Sequence, residues 1–235
     1  MILAAGLGTR LKPFTDRHPK ALAVVNRKTI LQRNIEYLSS FGVTDIIVNV
    51  HHFADQVQTH LKEHQNFGIN ISISDETEEV LETGGGLKKA AWFFDDGKSF
   101  VLMNVDILTD LDLGKMKQQH QETKPLATLA VSKRESSRCF LFNENGELCG
   151  WRNKLSGEEK ISRKEDSLHP FSFSGLHIIN PSIFPLIGQE GKFSMVDVYL
   201  DLAKTQPILA YNHTGTHLMD VGKPESIIEA EKIFT

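Results

Sequence analysis

Short apolar runs alternate with longer amphipathic stretches through the first part of the chain, and this alternation limits the folds it can adopt. Strands joined by helices pair in parallel, because each crossover returns the chain to the same end of the sheet. We therefore predict an α/β fold with three α/β/α layers around a mostly parallel, mixed central sheet. The predicted strands are residues 2–5, 45–50, 69–74 and 100–104, and the predicted helices are residues 30–41, 54–64 and 85–93.

The second part of the chain has more strands and fewer helices. Residues 139–151 are typical of a β-hairpin with Asn145 and Gly146 at its turn. Residues 152–169 are polar with charges of both signs, which predicts a mobile loop that is either solvated surface or a cover over substrate. The other predicted strands are 126–131, 171–179 and 208–211, and the predicted helices are 113–121, 194–203 and 224–234.

The composition is that of an ordinary globular protein, with 40% hydrophobic and 24% charged residues. The formal net charge of −4 argues against nucleic acid or a membrane surface as a partner. No apolar run approaches the ~20 residues that span a bilayer. Cys139 and Cys149 are too few for a disulfide framework, so we expect two reduced thiols in one cytoplasmic domain covering residues 1–235.

The loop after the first predicted strand has the composition of an anion-binding site. Gly6 and Gly8 allow backbone N–H groups to approach a ligand closely, and Arg10, Lys12 and Lys20 add three cations. In a parallel sheet this loop lies at the carboxyl ends of the strands, where ligands bind. The glycine spacing matches neither the dinucleotide-binding fingerprint nor the Walker A loop. The loop therefore predicts a phosphate site of another kind.

The loop from Gly6 to Lys20 resembles the signature loop of the sugar nucleotidyltransferases, also called nucleotide-sugar pyrophosphorylases. Further segments follow in that family's order over nearly the whole chain: a base-binding loop at 81–87, a metal-binding aspartate at 104–106, a sugar-facing strand at 173–176 and a second metal-binding aspartate at 219–222. The resemblance implies a Rossmann-like nucleotide-diphospho-sugar transferase fold, with a nucleotide-binding half at residues 1–112 and a sugar-phosphate-binding half at 113–235.

This resemblance implies an enzyme that uses Mg²⁺, a nucleoside triphosphate and a sugar 1-phosphate. The segments look most like those of N-acetylmuramate 1-phosphate uridylyltransferases and of short mannose- or heptose-1-phosphate guanylyltransferases. The implied residues are Arg10, Lys20 and Asp106 for catalysis; Ala5, Gly6, Gly8, Thr9, Glu82, Gly84 and Gly85 for the nucleotide; Asn104, Trp151 and Gly175 for the sugar; and Asp106 and Asp220 for the metal.

The residue types fit that chemistry. Transfer at the α-phosphorus brings two polyanions together, so Arg10 would stabilise the leaving pyrophosphate and Lys20 the attacking phosphate or the α-phosphate. The carboxylates of Asp106 and Asp220 are the hard oxygen ligands that Mg²⁺ prefers. UTP with N-acetylmuramate 1-phosphate is the first expected pair, and GTP with mannose or heptose 1-phosphate is the alternative. A non-catalytic nucleotide-sugar sensor and cytidylyl transfer to a phospho-alcohol also stay open.

The base-binding segment and the sugar side have competing interpretations. Residues 84–86 precede a predicted helix, so their backbone can lie flat against a base while Thr83 caps the turn. Glu82 is either a hydrogen-bond acceptor for the base or a surface charge. Gly175 either lets a sugar approach the strand or marks a bulge. For Trp151 and Phe171, a role as core or loop anchors is preferred to one as sugar-stacking platforms.

Several polar residues favour purely structural roles. Asp110 and Asp112 are typical of loop and helix-cap carboxylates, and Ser194 with Asp197 is typical of a helix start rather than a catalytic pair. The adjacent histidines at 51 and 52 point in opposite directions on an extended chain, which makes them a poor metal chelate.

Overall fold

A computed structural model describes residues 1–234 and contains fourteen strands and six α-helices within that range. The helices are α1 (Ile30–Ser40), α2 (Ala54–Glu63), α3 (Glu82–Lys89), α4 (Leu113–Thr123), α5 (Met195–Leu202) and α6 (Pro224–Ile233). The strands are β1 (Ile2–Leu3), β2 (Val24–Val25), β3 (Lys28–Thr29), β4 (Asp45–Val50), β5 (Asn70–Asp75), β6 (Phe100–Asn104), β7 (Ile107–Thr109), β8 (Ala127–Ser132), β9 (Arg138–Phe142), β10 (Leu148–Asn153), β11 (Glu159–Ile161), β12 (His169–Ile179), β13 (Ile208–Asn212) and β14 (Leu218–Asp220).

Ten strands form one mixed sheet with the path β11-β10-β9-β12-β6-β1-β4-β5, and β8 joins it by pairing with β12 and β13. The pairs β6–β1, β1–β4 and β4–β5 are parallel, whereas β12 runs antiparallel to β6, β8 and β9. Strands from both halves of the chain thus share one sheet. The predicted α/β fold with a mixed central sheet is confirmed.

Helices cover both faces of this sheet. Ile2, Ile46 and Val48 pack in one apolar layer with buried residues of α1, α2, α4 and α6. Leu3 and Ile47 point the other way, into a second layer with α3 and α5. Neighbouring strand residues face opposite sides, so β1 and β4, buried on both faces, read as continuous apolar runs in the sequence. The three-layer prediction is confirmed by this division.

Two predicted segments differ from the structure. The third helix was predicted at residues 85–93, but α3 begins at Glu82, and a 3₁₀ turn, Ala91–Phe94, follows its end. The mobile loop predicted at 152–169 is wrong in part, because β11 lies within it and pairs with β10. Lys160 Nζ also lies 3.1 Å from Asp197 Oδ1 on α5, and the hydroxyl of Ser162 donates to Leu200 O. These contacts are long-range, so the local composition could not reveal them.

No helix among residues 1–234 has the length and apolar character needed to cross a membrane.

Candidate active site

A cleft of about 330 Å³ opens where β1, β4 and β6 end. Parallel strands bring their carboxyl ends to the same edge, so residues far apart in the sequence meet there. Of the predicted site residues, Ala5, Gly6, Lys20, Glu82, Asn104 and Asp106 line this cleft, and they are joined by Leu3, Asn49, Val80, Thr83 and Ser194.

The loop after β1 presents unpaired backbone donors beside this cleft. Within residues 1–234, the N–H groups of residues 6–9 donate to no protein acceptor. The loop is held by the Thr15 hydroxyl, which donates to Gly8 O at 2.9 Å. Gly8 has φ +62, and a Cβ there would lie 2.9 Å from side-chain carbons of Thr15 and Lys20. Consecutive free N–H groups in such a turn form an anion-binding concavity.

Lys20 and Asp106 form a largely buried ion pair in the cleft. Lys20 Nζ donates to Asp106 Oδ2 at 2.6 Å, and each side chain is 13% exposed. Asn34, buried on α1, donates to Val105 O at 2.7 Å and so fixes the backbone just before Asp106. Lys12 is different, because it pairs with Asp16 at 2.9 Å and is 61% exposed. Lys12 is thus much more exposed than Lys20, and its place in a shared cationic pocket stays a prediction.

Asp220 reaches the same edge through a two-stranded ribbon of β7 and β14, which the sequence analysis did not predict. The backbone N–H of Val221 donates to Asp106 O at 2.8 Å, which brings the two predicted metal ligands side by side. Arg10 Nη2 lies 3.5 Å from Asp220 Oδ2. A Cβ at Gly222 would lie 2.7 Å from Arg10 Nη2, so a larger residue there would displace this guanidinium.

Gly84 and Gly85 do not lie in the loop where they were predicted. Both are buried inside α3, where their N–H groups donate to Phe193 O. A Cβ at Gly84 would lie 2.5 Å from the Phe193 ring, and one at Gly85 would lie 2.2 Å from Gly191 O. Neither glycine lines the cleft, so the prediction that their backbone faces a base is not supported. Their small size instead lets α3 pack against the start of α5.

Thr83 and Glu82 do lie at the cleft, at the first turn of α3. Thr83 was predicted to cap its own turn, but its hydroxyl accepts from Met195 N at 2.9 Å and so caps α5 instead. Glu82 has φ +60, an unfavourable backbone conformation for this residue type, and lies 3.8 Å from Lys192 Nζ. Its half-exposed carboxylate keeps the predicted role towards the base open.

Asn49 and Glu76 belong to the site but were missed in the sequence. Asn49 Oδ1 accepts from Ala4 N at 2.6 Å, and its Nδ2 donates to Glu76 Oε1 at 2.8 Å. Glu76 is 1% exposed, and its Oε2 accepts from Leu81 N. This network joins the ends of β1, β4 and β5 to α3. The one available signal was Asn49, the polar residue inside the otherwise apolar run 46–50.

On the sugar side, Asn104 lines the cleft at the end of β6. Gly175 is buried at a bulge with φ +71, and a Cβ there would lie 2.6 Å from Ile107 Cγ1. The space beside Gly175 is therefore filled by the protein itself, which supports the bulge interpretation and not the approach of a sugar. Trp151 lies on β10 beside Phe140 and under Lys160, outside the cleft lining.

The structural interpretations of the other polar residues are confirmed. Asp112 Oδ1 caps α4 by accepting from Lys115 N, and Ser194 caps α5 by accepting from Val196 N. Asp110 accepts from the backbone of His217 in a loop contact. Both cysteines are free and buried, and burial raises the pKa of their thiols. No cluster of three or more His, Cys, Asp or Glu side chains within residues 1–234 is arranged to hold a metal.

Comparison with known proteins identifies the family of this chain. A family model described as "Nucleotidyl transferase" matches residues 1–235. An N-acetylmuramate alpha-1-phosphate uridylyltransferase of Caulobacter vibrioides is 32% identical, over 98% of this chain and 94% of that protein. A mannose-1-phosphate guanyltransferase of Yarrowia lipolytica is 28% identical over all of this chain, which spans 63% of that longer protein.

A solved structure has the same fold at similar length. The crystal structure of HddC from Yersinia pseudotuberculosis superposes with a TM-score of 0.78 at 26% identity, covering 100% of this chain and 98% of that one. The free N–H loop and the two aspartates paired with cations lie within the stretch that the family model matches. Over its whole length, this chain belongs to the nucleotidyl transferase family of enzymes.

Proposed function

We propose that this protein is a cytoplasmic enzyme that transfers a nucleotidyl group from UTP to N-acetylmuramate 1-phosphate and releases pyrophosphate. The proposal rests on the groups that meet at one edge of the sheet. The free N–H groups of residues 6–9 lie there next to two ion pairs, Lys20–Asp106 and Arg10–Asp220. That arrangement offers donors and cations to two polyanionic substrates at once.

Catalysis of this reaction consists mainly of positioning the two substrates and stabilising their negative charge. An oxygen of the sugar phosphate bonds to the α-phosphorus, and the bond from that phosphorus to the bridging oxygen of pyrophosphate breaks. The N–H groups of residues 6–9 bind phosphate oxygens of the triphosphate. Arg10 stabilises charge on the leaving pyrophosphate, and Lys20 holds the attacking phosphate beside the α-phosphate. Lys20 is only 13% exposed, so its charge acts with little screening by water.

The donor set of the cleft fits a Mg²⁺ ion. Asp106 lies in the turn before β7 and Asp220 ends β14. Val221 N donates to Asp106 O, so the two residues reach one edge together. Oxygen ligands and few protein donors suit Mg²⁺, which keeps several waters or substrate oxygens. When bound by Asp106 and Asp220, the ion would neutralise charge on the phosphates of both substrates.

The choice of substrates rests on the relatives. The uridylyltransferase of Caulobacter vibrioides matches this chain over 94% of its own length, and this supports UTP with N-acetylmuramate 1-phosphate. The guanyltransferase of Yarrowia lipolytica supports GTP with mannose 1-phosphate as the second pair.

A pyrophosphate-release assay over a panel of nucleoside triphosphates and sugar 1-phosphates tests the proposal. We expect metal-dependent turnover that EDTA abolishes and added Mg²⁺ restores. Asp106→Asn and Asp220→Asn should each lower kcat about 10²- to 10³-fold. Asp112→Asn is the matched control, because asparagine caps a helix as well as aspartate does.

The outcomes separate the alternatives. Nucleotide binding in calorimetry without turnover on any pair contradicts the enzyme and supports a sensor. Turnover that survives both Asp106→Asn and Asp220→Asn contradicts the assignment of the metal ligands.

A further inference from the structure

Two segments that are distant in the sequence form part of the cleft wall. One is the loop of residues 6–9 after β1, which we call the phosphate loop because its backbone can bind an anion. The other is the stretch 80–83 that leads into α3 and contributes Val80, Glu82 and Thr83 to the lining. We call this stretch the base turn. A ligand that contacts both segments fits only if their separation is fixed.

Asn49 and Glu76 form a bridge between the two segments. Ala4 N, just before the phosphate loop, donates to Asn49 Oδ1 at 2.6 Å. Asn49 Nδ2 donates to Glu76 Oε1 at 2.8 Å, and Leu81 N in the base turn donates to Glu76 Oε2 at 3.2 Å. Asn49 is 2% exposed and Glu76 is 1% exposed. A chain of three hydrogen bonds, protected from water, therefore connects the phosphate loop to the base turn.

The direction of each bond in the bridge is fixed by its partners. Ala4 N and Leu81 N are backbone donors, so the atoms that face them must accept. Asn49 therefore turns its oxygen to Ala4 and its nitrogen to Glu76, because the opposite orientation would set two donors against each other. Glu76 accepts with both oxygens. Glutamine has the same length but only one acceptor oxygen, so it cannot replace this carboxylate.

Glu76 is held in place by its backbone as well. Its N donates to Val50 O at 2.7 Å, and its O accepts from Glu79 N at 3.1 Å and from His51 Nδ1 at 2.6 Å. Its carboxylate forms no ion pair with a lysine, arginine or histidine of residues 1–234. Burying a carboxylate without a cation is costly, and an apolar side chain would fill the space at lower cost. This carboxylate thus points to a role in positioning.

The base turn is held in an unfavourable conformation. Glu82 has φ +60, which side chains other than glycine rarely adopt. On one side of it, Leu81 is fixed by its N at Glu76 and by its O, which accepts from Phe193 N at 3.2 Å. On the other side, Gly84 N donates to Phe193 O at 2.9 Å. Without the bond to Glu76, Leu81 could rotate and let Glu82 relax, which would move the base turn relative to the phosphate loop.

We propose that Glu76 is a positioning residue that sets the separation of the phosphate loop and the base turn by accepting from Asn49 and Leu81. This rests on the proposed function, in which one nucleotide contacts both segments. Glu76 is buried, so it acts through its two partners and touches no substrate. Its effect is therefore large for a ligand that spans both segments and small for one that occupies the phosphate loop alone.

Calorimetry with UTP and with pyrophosphate tests this role, because only UTP carries a base. GTP takes the place of UTP if it binds the wild type more tightly. Glu76→Gln presents an NH₂ group to one of two donors, so the affinity for UTP should fall about tenfold and that for pyrophosphate less than about twofold. In turnover assays, KM for the nucleotide should rise likewise, and KM for the sugar phosphate should not. Equal losses for UTP and pyrophosphate would overturn the proposal, because they indicate a general structural effect.

A double variant separates hydrogen bonding from charge. Asn49→Asp together with Glu76→Gln reverses the middle bond of the bridge: the new amide donates to the new carboxylate, and both side chains still accept from the backbone. The double variant should regain UTP affinity to within about threefold of wild type. Asn49→Asp alone sets two acceptors face to face and should bind UTP no better than Glu76→Gln. A double variant as weak as the single ones contradicts the bridge.

The matched control is Glu78→Gln, an exposed acid two residues along the same loop, which should bind UTP like the wild type. A thermal melt confirms that each variant is folded. UTP binding that depends on Glu76 but leads to no turnover contradicts only the enzyme activity. Turnover with the same nucleotide KM in wild type and Glu76→Gln contradicts only the positioning role. Failure of the wild type to bind either UTP or GTP contradicts both.

Discussion

The parallel and antiparallel regions of the sheet contribute to the cleft in different ways. In the parallel region, β1, β4 and β6 end at the same edge, and the site residues simply follow the strand ends. In the antiparallel region, β12 changes partners along its length and bulges between Phe173 and His177. Topology alone therefore places the glycine-rich loop and the Lys20–Asp106 ion pair at the cleft, whereas the antiparallel region depends on register and packing.

The largest expected effect is in the parallel region, at Lys20. Lys20→Met keeps most of the side-chain volume but removes the charge and leaves Asp106 without its cation. We expect kcat to fall about 10²- to 10³-fold in the pyrophosphate-release assay. A loss of less than about tenfold would mean that Lys20 balances Asp106 without touching the substrates.

The next effect concerns the contact between α3 and the start of α5, where the two regions meet. Gly85→Ala gains up to about 1 kcal/mol of helix propensity but places a carbon 2.2 Å from a backbone oxygen that cannot rotate away. The cost of this steric clash should exceed the gain in helix propensity. The free energy of unfolding in urea should therefore fall by about 1–3 kcal/mol. Gly188→Ala is the control, because that position is open and has no positive φ. Equal stability of the two variants would contradict this packing.

A pH effect tests the buried histidine of the antiparallel region. The pKa of His177 is about 3 in the folded protein, below its ordinary value of 6.5, so the unfolded chain binds the extra proton first. Its contribution to stability is complete above pH 6.5 and is lost as the pH falls towards 3. Between pH 7 and 5, wild type should lose about 2 kcal/mol more than His177→Gln in urea titrations. Parallel losses would show that His177 accepts a proton in the folded state.

The smallest effect is expected at Lys12, which is 61% exposed and pairs with Asp16, whereas Lys20 is largely buried. Lys12→Met should change kcat less than about twofold and stability by less than about 0.5 kcal/mol, because exposed ion pairs contribute little. This variant is also the matched control for Lys20→Met. A strong loss of activity would show that Lys12 acts at the phosphate site.

Whether a segment forms a helix or a strand could be predicted wherever its apolar residues repeat with a single period. The helices α1, α2 and α4 start at the predicted residue, and Gly42 follows α1 with φ +81 as a helix-ending glycine should. Prediction failed at residues 82–84, which were interpreted as part of a glycine-rich loop although α3 begins at Glu82. Their helix is stabilised by contact with Phe193, more than a hundred residues away, and no local pattern encodes that contact.

The candidate site divides in the same way. Lys20 and Asp106 were predictable from motifs next to apolar runs, and the structure places them 2.6 Å apart. Glu76 could not be recognised, because nothing in the sequence distinguishes a buried carboxylate held by Asn49 from the charged residues around it. Gly175 and Trp151 were assigned to the sugar from the family resemblance, whereas Gly175 is buried at a bulge and Trp151 lies on β10, and neither lines the cleft.

The sequence by itself determined the α/β alternation, the parallel region and the glycine-rich loop, because local periodicity and strand order place residues at strand ends. Only the tertiary structure decided which of those residues share the cleft. The ribbon of β7 and β14, the bulge before His177 and the close approach of α3 to α5 each depend on contacts between segments distant in the chain. Such contacts are chosen by packing over the whole fold, and so they leave little trace in any one stretch of sequence.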